Sequence, residues 1–150
     1  MAAATAWDTS VRSSFADRVK LLTADTKPRW GKMNASAMMA HLNDSLRMAF
    51  GDLPCKSKNL PLRYKPIRRL FIYYLPMPKS APTAPELIAR CNGASLQDEQ
   101  KTFAQLLERC ATMTPASTFG EHPAFGDLNY DEYGALIAKH TDHHLRQFGL

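Results

Sequence analysis

The sequence predicts an all-α protein, a four-helix bundle with one long proline-rich crossover that carries a short extra helix between helices two and three. Apolar residues recur three and four positions apart in four stretches, the period of an amphipathic helix. No stretch has the alternation typical of a half-buried strand. With 150 residues, 45% of them hydrophobic, the chain is expected to form one domain over residues 1–150.

The first two helices are predicted from apolar spacing and from residues that begin or end helices. Helix one covers about residues 10–22, with an inward stripe of Val11, Phe15, Val19 and Leu22. Helix two starts after Asn34, a good N-cap, and stops at Gly51. Its apolar face includes Met38, His41, Leu42 and Ser45, so His41 is expected to face the core.

The crossover between Asp52 and Pro85 contains seven prolines. Proline has no amide hydrogen and clashes with the preceding helical turn, so only a short helix, 67–74, is expected there. A connection of this length is predicted to pack over one end of the bundle or to serve function.

The last two helices have clear boundaries. Helix three is expected over 95–113, with Pro115 closing it and an inward stripe of Leu96, Phe103, Leu106, Leu107 and Cys110. Asn129 followed by Glu132 is a variant of the capping box and begins the last helix. Its inward face is expected to carry Tyr133, Leu136, Ile137, His140, His144 and Phe148.

The net charge of +5 is concentrated in the first two thirds of the chain. Residues 1–97 hold 15 of the 19 lysines and arginines but 6 of the 14 acids. The segment with the highest density of basic residues, Lys56 to Arg69, contains no acidic residue and could bind phosphate groups. Because no nucleic-acid motif accompanies it, a solvated connector is the favoured interpretation and nucleic-acid binding a minor alternative.

Features that the sequence lacks predict where the protein is located and the redox state of its cysteines. The first residues lack the charged-then-apolar order of a secretory signal, and no apolar run is long enough for a membrane span. A cytoplasmic protein without a membrane partner is therefore expected. The three cysteines, Cys55, Cys91 and Cys110, are widely spaced and predict free thiols rather than a disulfide framework or a thiolate metal site.

The histidines are the residues whose type and spacing point to a metal site. His140 and His144 lie four apart, a spacing that stacks two imidazoles on one helix face as in zinc-binding helices. His41 is the natural third ligand, although His143 and His122 also compete for that role. An ordinary core histidine with hydrogen-bond partners remains the alternative interpretation for His41.

Four segments, RWGKMNASAMMAHLNDSLRMAFG, LPMPKSAPTAPEL, HPAFGDL and KHTDHHLRQFG, together resemble a branch of unknown function in the DinB/YfiT-like superfamily of metalloenzymes. The resemblance implies a four-helix bundle with a metal held by His41, His140 and His144. It also implies a metal-dependent thiol transferase or hydrolase, a low-molecular-weight thiol as cosubstrate, a small-molecule substrate and a homodimer. A non-catalytic metal-binding or stress-related bundle is the alternative.

Three neutral imidazoles would leave a coordination position open, the pattern of a catalytic site that activates water or a thiol. Zinc or nickel is the expected metal, and iron, copper or cobalt is also compatible with imidazole ligands. Candidates for orienting the imidazoles are Ser45, Asp44, Tyr133 and Glu132. The crossover arginines Arg63, Arg68 and Arg69 are candidates for receiving an anionic substrate.

Overall fold

The computed structural model describes residues 3–150, and its regular structure is helical, as predicted. Within that range there are five α-helices and no strand. The helices are α1 (Thr9–Lys20), α2 (Ala35–Ala49), α3 (Lys65–Tyr73), α4 (Leu96–Cys110) and α5 (Tyr130–Gln147).

Four of the helices form a closed ring. Helix α2 packs against α4 and α5, and α1 packs against the same two helices from the other side. The short crossover helix α3 lies outside this ring, on α5. The ring encloses one main core, whose largest fully buried side chains include Phe103, Tyr133, Met38, Met39 and Leu145. The predicted bundle with an extra crossover helix is therefore the observed architecture.

Side-chain caps determine where the helices begin. The Asn34 Oδ1 accepts the Ala37 amide hydrogen at 2.8 Å, and Asn129 and Glu132 form the complete capping box of α5. Three predicted boundaries were wrong by two or three residues: α1 ends at Lys20, α4 ends at Cys110, and α3 begins at Lys65. Helix α3 starts early because a proline is tolerated in the first turn, where its missing amide hydrogen would bind nothing.

The end of the crossover is attached to the bundle by Arg90. Its guanidinium donates to both oxygens of Asp44 on α2 and to Glu99 on α4, at 2.8–3.1 Å for the closest contacts. Both carboxylates are nearly fully buried, with side-chain exposures of 4% and 8%. Burial raises the pKa of Glu99, but the hydrogen bonds from Arg90 and Asn43 outweigh that effect and hold this pKa below its usual value.

Neither a membrane-spanning helix nor a disulfide is found among the described residues. None of the helices in the described part of the chain has the length and apolar character required to cross a bilayer. Cys55, Cys91 and Cys110 are free thiols, as expected, and burial raises the pKa of Cys110 to about 12.

We expect Arg90→Met to lower the free energy of unfolding at pH 7 by about 1–3 kcal/mol, because it leaves the buried Glu99 without its cation and Asp44 with Arg47 alone. The pKa of Glu99 is lowered in the folded state, so its contribution is present above the unfolded pKa and is lost as the pH falls through the folded value. The defect should therefore shrink below about pH 4. Urea unfolding at several pH values measures it.

The matched control is Arg146→Met, which removes an exposed pair with Asp142 and should change stability by less than about 0.5 kcal/mol. A defect of equal size in both variants, or one that does not depend on pH, would contradict the role assigned to Arg90.

Candidate metal centre

The structure brings together the three histidines that the sequence singles out. The Nε2 atom of His140 lies 3.0 Å from the Nε2 of His41 and 3.1 Å from the Nε2 of His144. His41 comes from the middle of α2, while the other two lie one turn apart near the end of α5. Together these side chains form a group that could hold a metal ion.

The orientation of His41 is determined by the crossover. Its Nδ1 lies 3.0 Å from the main-chain oxygen of Leu87. A carbonyl oxygen only accepts hydrogen bonds, so the Nδ1 must carry the hydrogen and the Nε2 must present a lone pair. The imidazole is buried, with 4% of its residue surface exposed.

Gln147 orients His144 in the same way. Its Nε2 donates to the Trp30 carbonyl at 2.8 Å, which turns its Oε1 toward the Nδ1 of His144, also at 2.8 Å. His144 therefore carries its hydrogen on Nδ1 as well. Gly31 makes this approach feasible, because it has a φ of +80° and a Cβ there would lie 2.6 Å from the Gln147 amide nitrogen.

All three imidazoles are neutral at pH 7. Burial lowers the pKa of His144 to about 3 and that of His140 well below its usual value, and the neighbouring histidines lower both further. Burial also lowers the pKa of His41, by more than the Leu87 carbonyl and Asp44 raise it. Neutral imidazole is the form that binds metal ions.

The donor set fits a divalent transition metal. In a tetrahedral zinc site with bonds of about 2.0–2.1 Å, ligand nitrogens lie roughly 3.3 Å apart. The two separations that involve His140, 3.0 and 3.1 Å, are within a few tenths of an ångström of that spacing, and all three donor atoms lie within 4.8 Å of one another. Over residues 3–150, no other histidine, cysteine or carboxylate belongs to the group, so it offers three possible ligands.

A cavity of about 620 Å³ opens beside the three histidines. This volume lies in the range of small-molecule sites. Its walls come from α2, from α5, and from two parts of the crossover, around Leu60 and from Pro76 to Ala84. A small molecule therefore has room beside the three histidines.

The other two candidate ligands lie outside the group. His143 packs edge-on against Trp30, with ring centroids 5.5 Å apart. His122 lines the cavity, but its Nδ1 accepts two amide hydrogens, from Ala124 and Phe125, both at 3.1 Å. Its hydrogen therefore sits on Nε2, and burial lowers its pKa to about 4.

None of the four side chains predicted to orient the imidazoles does so. Ser45 donates to the main-chain oxygen of His41, and Asp44 binds Arg47 and Arg90. Tyr133 donates to the Gly120 carbonyl, and Glu132 caps α5. The actual partner of His144 lies only three residues away, a spacing that could have identified it.

The crossover arginines are also engaged elsewhere. Arg63 donates to Ser57 and Glu121, and Arg68 donates to Glu132 and to two main-chain oxygens. Arg69 lies over the Tyr73 ring, with its guanidinium carbon 5.8 Å from the ring centroid. The expectation that these arginines receive a substrate in this pocket was wrong, since none of them lines it.

In metal-free protein we expect ¹⁵N chemical shifts to assign the hydrogen to Nδ1 in His41 and His144, and to Nε2 in His140. The hydrogens of His41 and His144 point to carbonyl oxygens, so their Nε2 atoms carry lone pairs. The Nε2 of His140 faces both lone pairs at hydrogen-bond distance and is therefore expected to carry the hydrogen. On adding Zn²⁺, only the hydrogen of His140 should move, to Nδ1.

Gln147→Leu should disturb the His144 assignment, whereas His143→Ala should leave all three unchanged. An Nε2 hydrogen on His41 would contradict the geometry.

The family described as "Protein of unknown function (DUF1569)" matches residues 9–149, which includes all five helices and all three histidines of the group. No curated protein and no solved structure matches the chain. The chain belongs to the DUF1569 family of proteins of unknown function.

Proposed function

We propose that this protein binds one divalent transition metal through His41, His140 and His144 and is a metal-dependent thiol transferase or hydrolase. The observation that carries the proposal is the convergence of three neutral imidazole nitrogens at the wall of a cavity of about 620 Å³. A structural metal site normally has four protein ligands, whereas a catalytic one keeps a position for substrate.

The residues around the site would each have a definite task. His41, His140 and His144 hold the ion, while Leu87 and Gln147 keep two of the imidazoles in their binding tautomer. A bound divalent ion with neutral ligands retains its full charge and lowers the pKa of water or a thiol toward neutrality. Apolar walls formed by residues such as Met33 and Ile137 keep bulk water from the site.

The choice of reaction comes from the resemblance to DinB/YfiT-like proteins, which implies a low-molecular-weight thiol as cosubstrate. Zinc or nickel is our first choice of metal, and iron, copper or cobalt also suits three imidazoles. The same resemblance implies a homodimer, which sedimentation would test. A non-catalytic metal-binding bundle is the alternative, and the adjoining cavity favours the enzyme over it.

Elemental analysis of untagged protein should find about one equivalent of a divalent transition metal per chain. His41→Ala and His144→Ala should each lose most of it, because two imidazoles bind such ions far more weakly than three. His143→Ala is the matched control, since His143 is adjacent to His144 but lies outside the group. Equal metal contents in His41→Ala and His143→Ala would contradict the ligand assignment.

Cobalt-loaded protein tests whether a coordination position is open. Adding cysteine should change the visible absorption spectrum, because its thiol can enter the vacant position, whereas serine at the same concentration should have little effect. A spectrum that no added thiol alters would indicate a closed site and would favour the non-catalytic alternative.

Enzymatic activity should depend on the same histidines as metal binding does. A thiol-dependent or hydrolytic activity, once found in a substrate screen, should fall by at least about a hundredfold in His140→Ala and persist in His143→Ala. Activity that survives in His140→Ala would place the chemistry elsewhere.

A further inference from the structure

The walls of the cavity beside the three histidines are predominantly apolar. Methionine, leucine, isoleucine, phenylalanine and proline side chains cover most of its surface, among them Met33, Leu62, Phe71, Met77 and Ile137. Such walls bind a ligand mainly through the apolar area that it removes from water. The main body of the ligand should therefore be apolar.

The charged residues lining the cavity all have the same sign. Lys32, Lys58, Lys79 and Lys139 line it, and no aspartate or glutamate in the described range does. Lys139 is already engaged, because its ammonium donates to the main-chain oxygens of Phe71, Ile72 and Leu75 at the end of α3. The other three lysines make no ion pair within residues 3–150.

Two of these three lysines contact residues that neighbour histidines, or their hydrogen-bond partners, in the cavity wall. The Lys79 ammonium lies 4.8 Å from the centroid of the Trp30 ring, whose carbonyl binds Gln147. The main-chain amide of Lys58 donates to the Pro123 carbonyl at 2.7 Å, next to His122 in the chain. Lys79 is thereby held through its side chain and Lys58 through its main chain, and both residues line the cavity.

Among the uncharged polar groups of the cavity wall, His122 keeps a free N–H donor, whereas the hydroxyls of Ser45 and Tyr133 have only lone pairs left. Ser45 and Tyr133 use their hydroxyl hydrogens on main-chain oxygens, and both ends of the Gln147 amide are occupied. His122 has its Nδ1 filled by two amide hydrogens, so its Nε2–H remains as a donor. An anionic ligand group in this cavity can therefore be met by lysine ammonium groups and by the His122 N–H.

We infer that the cavity binds an apolar small molecule carrying one anionic oxygen group, with Lys58 and Lys79 supplying the charge that selects it. This inference rests on the proposed function, because it names the substrate class of the same site. The complementary charge would draw such anions to the pocket and exclude amines of the same shape. A carboxylate and a phosphate monoester share the required chemistry.

Calorimetric titration with four eight-carbon ligands tests the inference: octanoate, octyl phosphate, octanol and octylamine. The titrations use metal-free protein, so that a carboxylate cannot owe its affinity to the ion. We expect one or both anions to bind at least about tenfold more tightly than octanol, and octylamine to bind more weakly than octanol. The tighter anion identifies the group.

The Lys58→Gln/Lys79→Gln double variant should weaken binding of the preferred anion by roughly three- to tenfold and leave octanol unchanged. Lys101→Gln is the matched control, because Lys101 is exposed on α4 and does not line the cavity. Octanol or octylamine binding as tightly as both anions would overturn the inference, as would equal affinities in the double variant and the control.

These outcomes are separable from the metal proposal. Lysine-dependent anion binding in a protein that takes up no metal would sustain this inference and refute the proposed function. Metal uptake through the three histidines without any preference for the anions would do the reverse.

Discussion

Two buried hydrogen bonds orient the imidazoles of the candidate metal centre. His41 donates its Nδ1–H to the Leu87 carbonyl, and His144 donates its Nδ1–H to the side-chain oxygen of Gln147. Each one forces its imidazole to present the Nε2 lone pair toward His140. An imidazole in a core with only apolar neighbours would have no preferred tautomer and would lack a partner for its N–H. The rest of the site, including the proposed open position, depends on these two orientations.

The first of these hydrogen bonds depends on how the crossover is attached. Arg90 lies three residues after Leu87 and ties that part of the chain to carboxylates on both α2 and α4. Lys139 on α5 secures the end of α3 through three main-chain oxygens. The proline-rich connection is therefore part of the site: it supplies a hydrogen-bond acceptor for His41, much of the cavity wall and two of the lysines in it.

Three neutral histidines packed this closely are costly to bury without a cation. Each loses hydration, and in the absence of an ion the single Nε2 hydrogen of His140 must serve two neighbouring lone pairs. An ordinary core histidine satisfies both ring nitrogens with separate partners. His122 differs from these three, because its Nδ1 accepts two amide hydrogens of its own turn and does not face another imidazole.

His41 was selected over His122 and His143 through the family resemblance. The sequence by itself determined the helical class, the caps at Asn34 and Asn129, and the shared helix face of His140 and His144. These features depend on local spacing, which a helix converts directly into a shared face. It did not identify Leu87, Gln147 or the lysines of the cavity, and it assigned the arginines of the crossover a role that they do not have. Only the tertiary structure decided those points, because a main-chain carbonyl has no sequence signature and a loop cation's partner depends on where the loop packs. Whether Arg63 meets a ligand or Glu121 is a matter of long-range packing, with no periodicity to indicate it.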